Sequence, residues 1–186
     1  DLPVHRDPTA AGMTVTPLSA VRRRLGFCAL FGLHALFMAY ALDRWDTALS
    51  LPWLQAISYT TARLLQMMGM TVSLGAVPGE YAILSMQHIV FHVTRECTGV
   101  YALGLYVAAV LSYPTILAQR LKALCWGVPA FFCYSIARLV LLAVISAVAP
   151  GWSGFLHVYL LVIVNAGFLL WLWATWVNHL PDEKSL

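Results

Sequence analysis

From Thr98 to Gln119 the chain carries no formal charge, and immediately before that stretch stand His88, His92, Arg95, Glu96 and Cys97. A charge-free run of this length is what a helix needs to cross a bilayer, because lipid offers nothing to an open backbone and only internal hydrogen bonding satisfies it. Cys97 therefore marks a boundary between polar surroundings and membrane. Most of the chain follows the same logic. Of its 186 residues, 61% are hydrophobic and 10% charged, more apolar surface than a soluble domain of this size hides. We read it as an all-α integral membrane protein with one domain, too short for two large inverted repeats.

The basic residues set the expected topology. Residues 1–21 are polar and proline-containing and are read as a flexible tail, ending at Arg22–Arg24 directly before the apolar run Leu25–Leu42. No small-residue cleavage site precedes Asp43, so the run is read as a retained first span rather than a signal peptide. Thr47–Met70 alternates Leu51, Leu54, Leu64, Leu65 and Met68 with Gln55, Ser58, Arg63 and Gln66. We expect an amphipathic helix in the outer interface, anchored by Trp53 and Tyr59, with a spanning or re-entrant helix as the alternative. Gly69, Gly75, Pro78 and Gly79 break helix, and Tyr81–Met86 and His88–Thr94 predict a short strand or hairpin feeding Cys97.

Three further spans are expected: Thr98–Ala118 with Pro114 as a kink or stop, Leu124–Ala149, and Phe155–Val177 with Trp171, Trp173 and Trp176 as an aromatic belt. Arg22–Arg24, Arg120, Lys122 and Lys184 then share one side, which the positive-inside rule makes cytoplasmic. The net charge of +3 is explained by these flanks and implies no nucleic-acid partner. The expected protein has about four transmembrane helices, an outer interfacial helix and a short β-rich segment. Residues 22–178 form its membrane-embedded catalytic domain, and residues 179–186 a cytoplasmic tail.

In this topology Cys97, Arg138 and His157 fall in the outer half. Arg138 lies about 17 Å along the helix from Ala149 at ~1.5 Å per residue, so its side chain snorkels or faces a wet cavity. Cys97 as nucleophile requires a proton acceptor, for which the His157 imidazole is the right type, while Arg138 suits a tetrahedral oxyanion. A helix starting at Thr98 would aim its free N–H groups at the thiol and favour thiolate, with Arg95 adding to that effect and Glu96 opposing it. The plain alternatives are a packing role for Cys97, an ion pair of Arg138 with Glu96 or Glu80, and an interfacial hydrogen bond for His157. His92 is the rival base. Cys28, Cys97, Cys125 and Cys133 show neither CxxC spacing nor a His/Cys cluster, so no disulfide, metal or other cofactor is expected.

Cys97-Thr98-Gly99 at the mouth of one span, Arg138 in the next and His157 at the head of the last resemble the exosortase/archaeosortase family of membrane cysteine transpeptidases. The resemblance covers about residues 72–176. It implies Cys97 as nucleophile with Arg138 and His157 as partners, and Glu96, Thr98, Gly99, Ser135 and His92 as substrate-binding or supporting residues. Ser135 stands where many relatives carry Asn. The implied substrates are exported proteins with a C-terminal motif, a transmembrane helix and a basic cluster. The implied reaction cleaves this signal through a thioacyl intermediate and transfers the protein to an acceptor nucleophile. The implied location is the plasma membrane, among its lipids, with the active site on the outer or periplasmic side. The alternatives are a cysteine protease that only hydrolyses and a non-catalytic membrane protein.

Overall fold

The computed structural model describes residues 17–77, 81–86 and 89–180. These are mostly helical: α1 (Pro17–Arg44), α2 (Asp46–Met67), α3 (Val100–Ser112), α4 (Leu117–Val148), α5 (Ser153–Tyr159) and α6 (Asn165–Asn178). A π-helical turn, Leu160–Val164, joins α5 to α6. Between α2 and α3 lies an antiparallel sheet of β1 (Val72–Val77), β2 (Tyr81–Met86) and β3 (Ile89–Val93) in the order β1-β2-β3. The register pairs Leu84 with Leu74 on one side and with Phe91 on the other. The sequence predicts the second and third strands; β1 is additional. Gly75, expected to break helix, lies within this strand, paired opposite Ile83.

Among the described residues, three helical stretches are long and apolar enough to cross a membrane: Arg24–Arg44, Leu117–Val148 and Gly154–Asn178. The run expected as the span Thr98–Ala118 is the shorter α3, with 13 residues. At ~1.5 Å per residue this is about 20 Å against a hydrocarbon core of about 30 Å. Proline sets the limit. The residue before a proline is pushed out of helical conformation, and Tyr113, before Pro114, is extended at φ −71° and ψ 132°. Arg120 and Lys122 lie within α4, and Arg120 Nη2 donates back to the Tyr113 carbonyl at 3.1 Å. At the other end, α1 begins at Pro17, so residues 17–21 are helical; the remainder of the expected tail, and residues 181–186, lie outside the described residues.

The short helix is the axis of the bundle. Ala102, Gly104, Tyr106, Ala108, Ala109 and Val110 are all buried, covering most of α3 and leaving one exposed strip at Tyr101 and Leu105. A Cβ on Gly104 would stand 3.1 Å from Leu42 of α1, and Gly127 of α4 lies directly against the fully buried Tyr106 ring. Tyr106 Oη completes that contact by donating to the Ala123 carbonyl at 3.0 Å. Phe27 of α1, Tyr113 and Trp173 of α6 meet at ring separations of 6.2–6.4 Å. The start of α1, the α3–α4 junction and the end of α6 therefore share one end of the bundle. The expected aromatic belt is partly core: Trp176 is buried against Tyr113 at 5.5 Å, whereas Trp171 is exposed.

At the opposite end α2 and the sheet cap α4. The inward face of α2 is Ser50, Leu54, Ile57, Ser58, Thr61, Ala62 and Leu65, all buried, while Leu64 and Met68 are exposed. Ser58 thus faces inward, the reverse of its expected side, and this face packs with Leu84, Val93, Cys97, Ile136, Leu139 and Ala143.

Candidate active site

Cys97 sits in a 3₁₀ turn, Glu96–Thr98, between β3 and α3. Its amide donates to Thr94 O at 3.1 Å and that of Thr98 to Arg95 O at 3.0 Å. Gly99 follows in left-handed conformation at φ 69°, a region costly to residues bearing a Cβ. This reversal starts α3 at Val100 rather than at Thr98, so the thiol belongs to the turn before the helix and not to its first turn. The thiol is buried, 6% exposed, whereas Cys28, Cys125 and Cys133 are exposed rather than packed inside.

Two of the turn's three carbonyls are held from outside. Arg138 Nη2 donates to Cys97 O, and Ser135 Oγ to Thr98 O at 2.8 Å. Ser135 and Arg138 are three residues apart on α4, hence on one face of it. Ser135 therefore acts through its single hydroxyl proton on the backbone of the turn. From α2, the Trp53 indole donates to the same Thr98 carbonyl at 3.4 Å and packs edge-on against Phe132. Trp53 is thus a clamp on the turn rather than a headgroup anchor, while Tyr59 is exposed as expected.

Arg138 is 6% exposed, and its second amino group, Nη1, is buried without a hydrogen-bond partner. A buried guanidinium held by one nitrogen keeps strong donor capacity on the other. His157 of α5 brings Nε2 to 4.0 Å from Cys97 Sγ. Thr94 Oγ1 lies 3.4 Å from the same sulfur. The Thr94 hydroxyl also bonds the carboxylate of exposed Glu96, and this, with the Glu96 backbone bond and nearby Arg95, holds Glu96 below the usual carboxylate range. A hydroxyl has one proton, so Thr94 donates either to Glu96 or toward sulfur.

The structure brings together Cys97, Arg138, His157, Thr98, Gly99 and Ser135. Glu96 reaches the thiol through Thr94, and exposed His92 lines a cavity with Cys97 and His157. Glu80 and His88 lie outside the described residues. Sequence reasoning missed the Trp53 and Thr94 contacts, and it missed Asn165. His157 and Asn165 are eight residues apart, an offset of about 80° in an uninterrupted α-helix. The wider i→i+5 turn at Leu160–Val164 takes up rotation between them. Both then approach the Cys97–Gly99 segment: a Cβ on Gly99 would lie 3.7 Å from Asn165 Oδ1 and 3.4 Å from Ser135 Oγ. Only a helical pattern read with its π turn would have found this.

Among the described residues no group of three or more His, Cys, Asp or Glu side chains is placed to hold a metal ion. In chemical terms the arrangement is a buried thiol, an imidazole within reach of its proton, and a cationic donor anchored on the thiol's own main chain. Compared with protein-family models, with curated proteins and with solved structures, the chain matches none.

Proposed function

We propose that this protein is an exosortase/archaeosortase-like membrane cysteine transpeptidase. The observation that carries the reading is the approach of His157 Nε2 to Cys97 Sγ at 4.0 Å beside the unpartnered Nη1 of Arg138. His157 takes the thiol proton, and the sulfur adds to the carbonyl of the scissile peptide bond in the sorting signal. Arg138 Nη1 faces the developing oxyanion while Nη2 keeps the Cys97 backbone in place. Collapse breaks the C–N bond, the departing amine takes the proton from His157, and a thioester remains on Cys97. A second nucleophile, deprotonated by His157, adds to the acyl carbon, and the thiolate leaves and recovers the proton. While sulfur is anionic, the Thr94 hydroxyl is a donor within reach of it, released from Glu96.

In this reading the chain spans the plasma membrane with both termini in the cytoplasm, α2 and the sheet at the outer surface, and α3 as the short fourth crossing. The bundle end formed by the start of α1, the α3–α4 junction and the end of α6 carries Arg22, Arg24, Arg120 and Lys122, as the positive-inside rule requires of a cytoplasmic end. The substrates are exported proteins ending in a short motif, a transmembrane helix and a basic cluster. The acceptor is a nucleophile held near the acyl carbon, where proximity lets it compete with water.

The test is to incubate the full chain in lipid vesicles with a candidate substrate tail and hydroxylamine, then identify the new C-terminus by mass spectrometry. A Cys97 adduct and a hydroxamate-capped product are expected. A free carboxylate at every amine concentration, with natural acceptors supplied, makes the protein a protease; no adduct and no cleavage of any tail removes the enzymatic reading.

A further inference from the structure

A cavity of about 30 Å³ for the centre of a water-sized sphere lies beside the thiol, bounded by Cys97 and His157 on one side. Its remaining wall is mainly hydrocarbon from four elements, among them Leu65 of α2, Leu84 of β2, Val93 of β3, and Leu142 and Ala143 of α4, with Thr61 and His92 as its further polar side chains. The space exceeds the roughly 10–15 Å³ that one water needs, and the polar side chains that face it are Thr61, His92 and His157 beside Cys97. Left empty, such a cavity forfeits packing along its whole wall. A void of this kind against a buried nucleophile is more economically explained by an occupant that arrives with the substrate.

Thr61 indicates what that occupant carries. It lines the cavity, is fully buried, and its hydroxyl has no hydrogen-bond partner. The adjacent Thr60 shows the ordinary solution for a helical threonine, returning its hydroxyl to the Ala56 carbonyl at 2.8 Å. Leaving a buried hydroxyl unpaired is costly, and a peptide N–H or C=O at the cavity mouth would remove that cost. A hydrocarbon chain would not.

We infer that this cavity is a side-chain subsite, taking an uncharged aliphatic residue beside the scissile bond while Thr61 bonds the substrate backbone. The inference rests on the transpeptidase reading for its substrate. It excludes basic residues from that position, since the polar side chains of the wall, Thr61, His92 and His157 beside Cys97, include no carboxylate to pair a buried cation.

Peptidyl chloromethyl ketones test it without an acceptor or turnover. The Cys97 sulfur displaces chloride, the C–S bond forms as the C–Cl bond breaks, and the thiol proton passes to His157. With the full chain in phosphatidylcholine vesicles, reagents ending in Leu or Val are expected to alkylate Cys97 at least about tenfold faster than those ending in Lys, by intact mass. Ala143→Leu, which fills the cavity, should shift preference from Leu toward Gly. Leu142→Ala, which enlarges it, should shift preference toward Phe. Thr61→Val should slow the peptidyl reagents relative to N-ethylmaleimide. Equal rates for Leu and Lys reagents, or proportional slowing of all reagents by both cavity variants, overturns the subsite. An unchanged peptidyl-to-maleimide ratio in Thr61→Val overturns the backbone contact and leaves a lipid chain as the occupant. Selectivity here with no acyl transfer in the vesicle assay would instead fail the transpeptidase reading alone.

Discussion

The Arg138 guanidinium donates from Nη2 to the main-chain carbonyl of Cys97, the residue whose thiol lies 4.0 Å from His157. The cation therefore has two attachments to the same chemistry: it fixes the backbone that carries the sulfur, and it presents Nη1 unpaired. Removing it changes position and electrostatics together.

Arg138→Lys is expected to lower processing by about 10²–10³-fold, the range for loss of one oxyanion donor, because one ammonium cannot serve both sites with fork geometry. Arg138→Ala should in addition lose stability of about 1–3 kcal/mol, through the buried Cys97 carbonyl left without its donor. Substrate cleavage and thermal unfolding of the same detergent-solubilised samples separate the two effects. Full activity in Arg138→Lys would refute the anchored-donor role.

The four cysteines divide by burial. Cys97→Ala should abolish adduct formation, whereas a chain with Cys28, Cys125 and Cys133 all replaced by Ala should retain it, those three being exposed and Cys97 buried. In intact cells, a membrane-impermeant thiol reagent should reach a cysteine introduced at Ser153 and spare one at Lys122. The reverse labelling pattern would invert the topology.

Glu96 makes stability acid-sensitive. Its folded carboxyl is held below its ordinary value near 4.5, first by the Thr94 hydroxyl. A depressed folded value means the stabilisation is fully present above about pH 4.5 and is lost as pH falls through the lower folded value. Thermal unfolding from pH 7 to pH 3 should therefore show a steeper acid loss for the wild type than for Glu96→Gln. Thr94→Val should flatten the same limb, while Thr94→Ser retains it. Parallel curves for wild type and Glu96→Gln would show that the carboxylate contributes nothing.

Two glycines should resist replacement for different reasons. Gly99→Ala adds a Cβ at φ 69° with only ordinary contacts at 3.4 and 3.7 Å, so the cost is conformational, about 1–2 kcal/mol. It should slow alkylation of Cys97 by displacing the turn. Gly127→Ala drives a Cβ into the Tyr106 ring and should cost about 1–3 kcal/mol or more by overpacking. Thermal unfolding reads both, and alkylation rate distinguishes them: the first variant alters it, the second, if folded, leaves it near wild type.

Much of the architecture was legible in the linear pattern because apolar run length and flanking charge are local properties. The runs around Leu25–Leu42, Leu124–Ala149 and Phe155–Val177 correspond to the three long apolar helices, and Tyr81–Met86 is a strand as read. Cys97, Arg138 and His157 stood out because each is an unusual residue at the head of, or within, an apolar run. Sequence alone also contains the Tyr113-Pro114 stop, where steric exclusion before proline ends α3 at Ser112, short of the expected Ala118. What only tertiary structure decided was direction and partner. Ser58 and Thr61 face inward because sheet and α4 close over α2, and Trp53 turns from interface to turn carbonyl for the same reason. The left-handed Gly99 separates the thiol from the helix that was expected to activate it, and the π turn brings Asn165 to the His157 side. These outcomes depend on contacts between residues tens of positions apart, whose energies no local period encodes.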